Sequence, residues 1–99
     1  MNYLVVNLKE KRRPHPEGYK SWIDYWEHRT GQAAGHCHKR IGTCMEDAKD
    51  GAHVQLKDSE NRTWYIAPTC HFHNMQLGAT YWVEGPLVPV DPENPNILW

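Results

Sequence analysis

Residues 35–74 read GHCHKRIGTCMEDAKDGAHVQLKDSENRTWYIAPTCHFHN and hold all three cysteines and five of the seven histidines of the chain. Thiolate and imidazole are the donors of a soft or borderline cation, and four of them at tetrahedral positions make a structural zinc site. Cys70 and His73 stand at i and i+3, a spacing that one turn at the start of a helix brings to a common point. Cys37 and Cys44 supply the other pair, on a loop enlarged around Gly42. The expected ligand set is therefore Cys37, Cys44, Cys70 and His73. His36 and His38 flank Cys37 and compete for its place, and His53 is a further alternative to Cys37 or Cys44. His71 points to the other side of the turn from Cys70 and His73. The competing arrangement is three buried free thiols with exposed histidines. A disulfide is disfavoured, because one cysteine would be left over and no signal peptide precedes the chain.

The ligands need elements to carry them. Residues 3–8 form a β-branched apolar run, read as a short strand with Leu4, Val6 and Leu8 on one face. Lys9-Glu10-Lys11-Arg12-Arg13 reads as a solvated loop or a phosphate-contacting arm, and Pro14 and Pro16 keep the connection extended. Ser21 opens a helix in the manner of a capping box with Asp24, and Thr30-Gly31 ends it. Trp22, Ile23, Tyr25 and Trp26 recur at helical spacing, so they are assigned to the core. Residues 32–35 are a small-residue linker.

Strands at 51–56 and 63–67 enclose a polar turn and form a hairpin. Thr69 is expected to N-cap a short helix beginning at Cys70, with Gly78 as its stop. Further strands are expected at 80–84 and 87–90. Residues 91–99 carry two prolines and form an extended tail whose Ile97, Leu98 and Trp99 dock on the body or on a partner.

Ninety-nine residues make one domain, small enough for a metal to matter. The apolar content is carried by five Trp and five Tyr against a single Phe. Zinc can supply missing stability, and a chelator is expected to unfold the chain. The net charge of −1 hides a basic stretch, residues 1–40, and an acidic one, residues 41–99. A near-neutral total argues against avid, sequence-independent binding to nucleic acid, which depends on many cations. No apolar run approaches the roughly 20 residues that span a bilayer. Reduced cysteines fit a cytoplasmic setting.

Knuckle, hairpin, then a helix with the second ligand pair is the order of a treble-clef zinc finger. The fold class expected is α+β: a small zinc-stabilised ββα finger over about residues 36–78, with a flanking strand and an aromatic-rich helix. Gly51-Ala52-His53-Val54 and Trp64-Tyr65-Ile66-Ala67-Pro68-Thr69-Cys70-His71-Phe72-His73-Asn74 resemble the HNH, or His-Me finger, endonucleases over some forty residues.

The resemblance implies that His53 is the general base that deprotonates the attacking water; the other readings of His53 are a vestigial or structural histidine that hydrogen-bonds within the finger, and the zinc ligand named above. It implies that Asn74 is a ligand of a catalytic Mg2+ or Mn2+ ion, in metal-assisted phosphodiester hydrolysis. At two positions the chain departs from the pattern. Ala52 stands where active members carry an Asp or His that helps hold the metal, and Tyr65 where an Asn orients the histidine. The function expected is a catalytically degenerate HNH-like module that recognises nucleic acid or a nucleic-acid-processing host protein, of the kind a phage or mobile element encodes. The alternative is an active endonuclease. Aromatic residues and an acidic half suit protein recognition.

Overall fold

The computed structural model describes residues 1–8, 16–60 and 62–99. The basic run at 9–13, with Pro14 and His15, lies outside the described residues, as does Asn61 of the hairpin turn. In chain order the elements are β1 (Asn2–Asn7), α1 (Trp22–Thr30), β2 (Lys39–Arg40), β3 (Asp50–Leu56), β4 (Tyr65–Thr69), α2 (His71–Asn74), β5 (Thr80–Glu84) and β6 (Val88–Pro89). The class is α+β. The strands form one sheet in the order β2-β5-β1-β3-β4-β6, and its paired neighbours run antiparallel.

The predicted hairpin is present, with Asp50 opposite Thr69 and Val54 opposite Tyr65. It is not a free-standing finger, because β1 pairs with its outer side and β5 pairs with β1. The two-residue strand β2 was not foreseen; it joins β5 through Lys39 opposite Val83 and Arg40 opposite Trp82.

On β1 the fully buried face is not the one that Leu4, Val6 and Leu8 share. Val5 and Asn7 are buried, while Leu4, Val6 and Leu8 are half-buried. Val5 joins Ala52, Val54, Tyr65, Ala67, Tyr81, Val83 and Leu87 in one core. Asn7 is tolerated inside because its side-chain amide donates to the carbonyls of His73 (3.3 Å), Asn74 (2.8 Å) and Gln76 (3.0 Å). These carbonyls belong to the last turn of α2 and the turn that follows it, where a helix runs short of intrahelical donors. Asn7 thus closes α2 from across the sheet.

That contact accounts for a second correction. The helix runs only from His71 to Asn74, with Met75 as its C-cap, and ends before Gly78. Thr69 belongs to β4, and Cys70 occupies the N-cap position without a side-chain capping bond.

The ends of α1 are as expected. Ser21 Oγ accepts from the Asp24 amide at 3.2 Å, and Gly31, in the left-handed region at φ 70°, donates to Glu27 O at 2.9 Å. Tyr25 and Trp26 are buried with Ala34, Ile66 and Val88 in a second core between α1 and the sheet. Polar ends of the rings are satisfied: Tyr25 Oη donates to Pro89 O (2.8 Å), and Trp26 Nε1 donates to Pro86 O (2.9 Å).

Close approach of α1 to β3 depends on Gly51. A Cβ there would stand 2.8 Å from Trp22 Cβ, 2.9 Å from Ile23 N and 2.9 Å from Ile66 Cγ2. Gly51→Ala is therefore expected to destabilise by about 1–3 kcal/mol. The reading is a lower urea midpoint at unchanged slope; parental stability would mean that α1 stands further from β3 than here.

The tail docks on the body, one of the two placements the sequence left open. Leu87 and Leu98 exchange backbone hydrogen bonds of 2.7 and 2.9 Å, and Ile97 packs against the second core.

Candidate metal centre

Three separate pieces of backbone deliver the four donors. Cys37 lies just before β2, Cys44 in the loop after it, Cys70 at the N-cap of α2 and His73 within α2. The piece before β2 bridges strands that are far apart in the sheet. The His38 amide donates to Pro68 O of β4 (2.9 Å), while His38 O accepts from the Glu84 amide of β5 (2.8 Å). The sheet must curl to allow this, and the curl carries Cys37 to the start of α2. Beyond β2, Gly42 turns the chain at φ 85°, a conformation that glycine adopts without strain, and Cys44 folds back over Cys70.

The donor atoms of Cys37, Cys44, Cys70 and His73 all lie within 4.8 Å of one another. His73 Nδ1 is 3.2 Å from Cys70 Sγ and 3.5 Å from Cys37 Sγ, and Cys44 Sγ is 4.0 Å from Cys70 Sγ. A tetrahedral ion with bonds of about 2.3 Å to sulfur and about 2.0 Å to nitrogen separates its donors by roughly 3.5–3.8 Å, so the observed spacings bracket that geometry. The sulfurs are far from a disulfide separation of about 2.05 Å, and all three cysteines are free. Among the described residues, this is the one group of three or more His, Cys, Asp or Glu donors within reach of a single ion.

Burial tunes the donors in opposite directions. It pushes the Cys37 thiol up to about 11, so the metal-free protein keeps that proton at neutral pH. For His73, burial and then the nearby Lys39 charge lower the pKa, which leaves the imidazole neutral with a lone pair to give. A bound cation must displace the Cys37 proton, so protons compete with the metal. Metal affinity is expected to rise with pH, about tenfold per unit for each proton released. Competition against a chelator of known affinity between about pH 6 and 8 measures this; a flat or falling profile would contradict protonated thiols as the donors.

The histidines left open as competing ligands are occupied elsewhere. His38 is buried, with its ring nitrogens 3.0 Å from Glu84 O and 2.9 Å from Ala34 O. His36 is exposed, 3.7 Å from Asp47 Oδ1. His53 is on the α1 side of β3, its ring edge-on to Trp22 at 5.0 Å and to Trp64 at 6.3 Å. His71 points away from the centre, as expected, with Nδ1 2.8 Å from Asp50 Oδ2.

His53 and Asn74 do share a cleft of about 450 Å³, between the start of α1, β3 and α2. Asp50 and His71 line it too; Asp50 was not singled out from the sequence, and His71 only as facing away from the metal ligands. Asn74 Nδ2 donates to the same Asp50 oxygen at 3.0 Å, so one carboxylate holds both α2 side chains. The available signal was the register: Asp50 opens the strand that pairs with the residue before Cys70. Ala52 and Tyr65 are 0% and 1% exposed, inside the core on the sheet face opposite His53.

Comparisons with known proteins return nothing: no family model matches the chain, no curated protein matches it and no solved structure matches it. Among the described residues, no helix is long and apolar enough to cross a membrane.

Proposed function

We propose that Cys37, Cys44, Cys70 and His73 hold one structural zinc ion in a treble-clef arrangement. The protein is on this reading an HNH-like binding module with degenerate catalytic positions, which recognises nucleic acid or a nucleic-acid-processing protein. The observation that carries the zinc reading is the convergence of three sulfurs and one imidazole nitrogen within 4.8 Å. A donor set of this softness suits zinc rather than a hard cation.

The degenerate assignment is supported by what surrounds His53. Its neighbours at positions 52 and 65 are an alanine and a tyrosine, both buried in the core. Neither can ligate a hard cation or orient the imidazole. The carboxylate that shares its cleft, Asp50, is engaged by His71 and Asn74.

Titrating DNA binding against salt tests recognition of nucleic acid. Phosphate contacts require affinity to fall steeply as ionic strength rises; no binding at low salt would leave the protein partner as the reading. An active endonuclease, with His53 as general base and Mg2+ or Mn2+ near Asn74, is favoured by one observation: both residues line the same cleft. Plasmid nicking with either ion separates the two readings. Cleavage lost in His53→Ala supports the enzyme, and background cleavage in parent and variant alike supports the module.

A further inference from the structure

Of the three thiols, one differs from the others in its access to solvent. Cys37 is 0% and Cys70 5% exposed, whereas Cys44 is half-buried. Two clefts have Cys44 in their walls: one of about 390 Å³ that runs past Cys70, Phe72 and His73, and one of about 290 Å³ lined by Ile41, Gly42 and Thr43. A small polar oxidant such as hydrogen peroxide reaches the Cys44 sulfur through either. Accessible thiols of this kind oxidise first, and buried ones are inert.

A second sulfur lies within reach of that first one. Cys44 Sγ is 4.0 Å from Cys70 Sγ, and a disulfide needs about 2.05 Å, so a movement of about 2 Å closes the gap. The turn carrying Cys44 can supply it, because Ile41 and Met45 on either side are exposed. Cys37 is held more firmly: its amide donates to Glu46 O (2.8 Å), and the next amide, of His38, donates to Pro68 O (2.9 Å).

We propose that Cys44 and Cys70 are a peroxide-sensitive pair, whose oxidation to a disulfide expels the ion from the metal centre. This rests on the reading of Cys37, Cys44, Cys70 and His73 as metal ligands. Cys44 Sγ attacks one peroxide oxygen; an S–O bond forms, the O–O bond breaks, and water leaves a sulfenic acid behind. Cys70 Sγ then attacks the Cys44 sulfur, an S–S bond replaces the S–O bond, and a second water leaves. Two thiols and one peroxide give one disulfide and two waters, and the peroxide gains the two electrons that the sulfurs lose. In the loaded protein solvent supplies the two protons, since the metal has displaced those of the thiols. Cys37 and His73 remain as donors, two short of the four that structural zinc takes. The odd cysteine is Cys37, kept reduced by its burial.

The test uses the full parent chain, loaded with one equivalent of zinc and then treated with hydrogen peroxide. A chromogenic zinc indicator is expected to read one equivalent released, in step with the fall of free thiols from three to one. Trypsin cuts at Lys39 and Arg40, between Cys37 and Cys44, and at Lys49, Lys57 and Arg62, between Cys44 and Cys70, so the linked peptides report the pairing. Cys44 should be bound to Cys70, Cys37 should be alkylated only after denaturation, and a thiol reductant should restore zinc binding. A disulfide to Cys37, or oxidation of Cys44 to sulfinic acid without pairing, overturns the pair while leaving the ligand set intact. Zinc retained beside a complete Cys44–Cys70 disulfide overturns the expulsion. Zinc binding is measured before peroxide is added; a parent chain that takes up none overturns the ligand reading, and the proposal with it.

Discussion

Removing zinc is expected to lower the melting temperature by some tens of degrees. With free zinc at a thousand times its dissociation constant, linkage stabilises the folded state by about 4 kcal/mol. For a domain of this size each kcal/mol is worth roughly 4–8 °C. The chain has two apolar cores of its own, so the region that depends most on the ion is the loop carrying Cys37 and Cys44, not the packing of α1. Cys70→Ala should reproduce the chelated state, since Cys70 lies against both Cys44 and His73. The variant should melt at the same temperature with and without chelator, and native mass spectrometry should find one zinc in the parent chain and none in the variant. Equal melting temperatures of the parent chain with and without chelator would end the structural-zinc reading.

Trp26→Ala is expected to destabilise by about 3–5 kcal/mol. Trp26 is 0% exposed, and the substitution removes the ring between α1 and the sheet together with its hydrogen bond to Pro86 O. The ring also stands edge-on to His38 at 5.3 Å, and His38 is the residue that ties β4 to β5. The loss should therefore spread to the Cys37 end of the sheet. Denaturant unfolding read by circular dichroism measures it. A change below about 1 kcal/mol, within the range of surface substitutions, would mean that α1 is not docked as described.

Much of this was legible because local chemistry marks it. Ser21 and Gly31 write the ends of α1 into the sequence. Cys70 and His73 face one way and His71 the other because three residues make nearly one helical turn. The rest depends on partners distant in sequence. Nothing near Asn7 announces that its amide will close a helix some seventy residues later, so the period of β1 pointed to Leu4, Val6 and Leu8 rather than Val5 and Asn7. Lys39 and Arg40 carry no strand pattern; β5 alone makes them a strand. Asp50 became visible beside His71 only through the hairpin register. Gly78 looked like a helix stop, but the carbonyls had been taken up before the chain reached it.

The place of β1 between β5 and β3 has a consequence for biosynthesis. Of these strands β1 leaves the ribosome first, and it has one neighbour that emerges around residue 50 and another that emerges only near residue 80. Translation adds roughly 5–20 residues per second, so β1 waits for seconds with an open flank. Cys70 and His73 emerge before that second flank can close, so the four donors that could hold an ion are all available while the sheet is still unfinished.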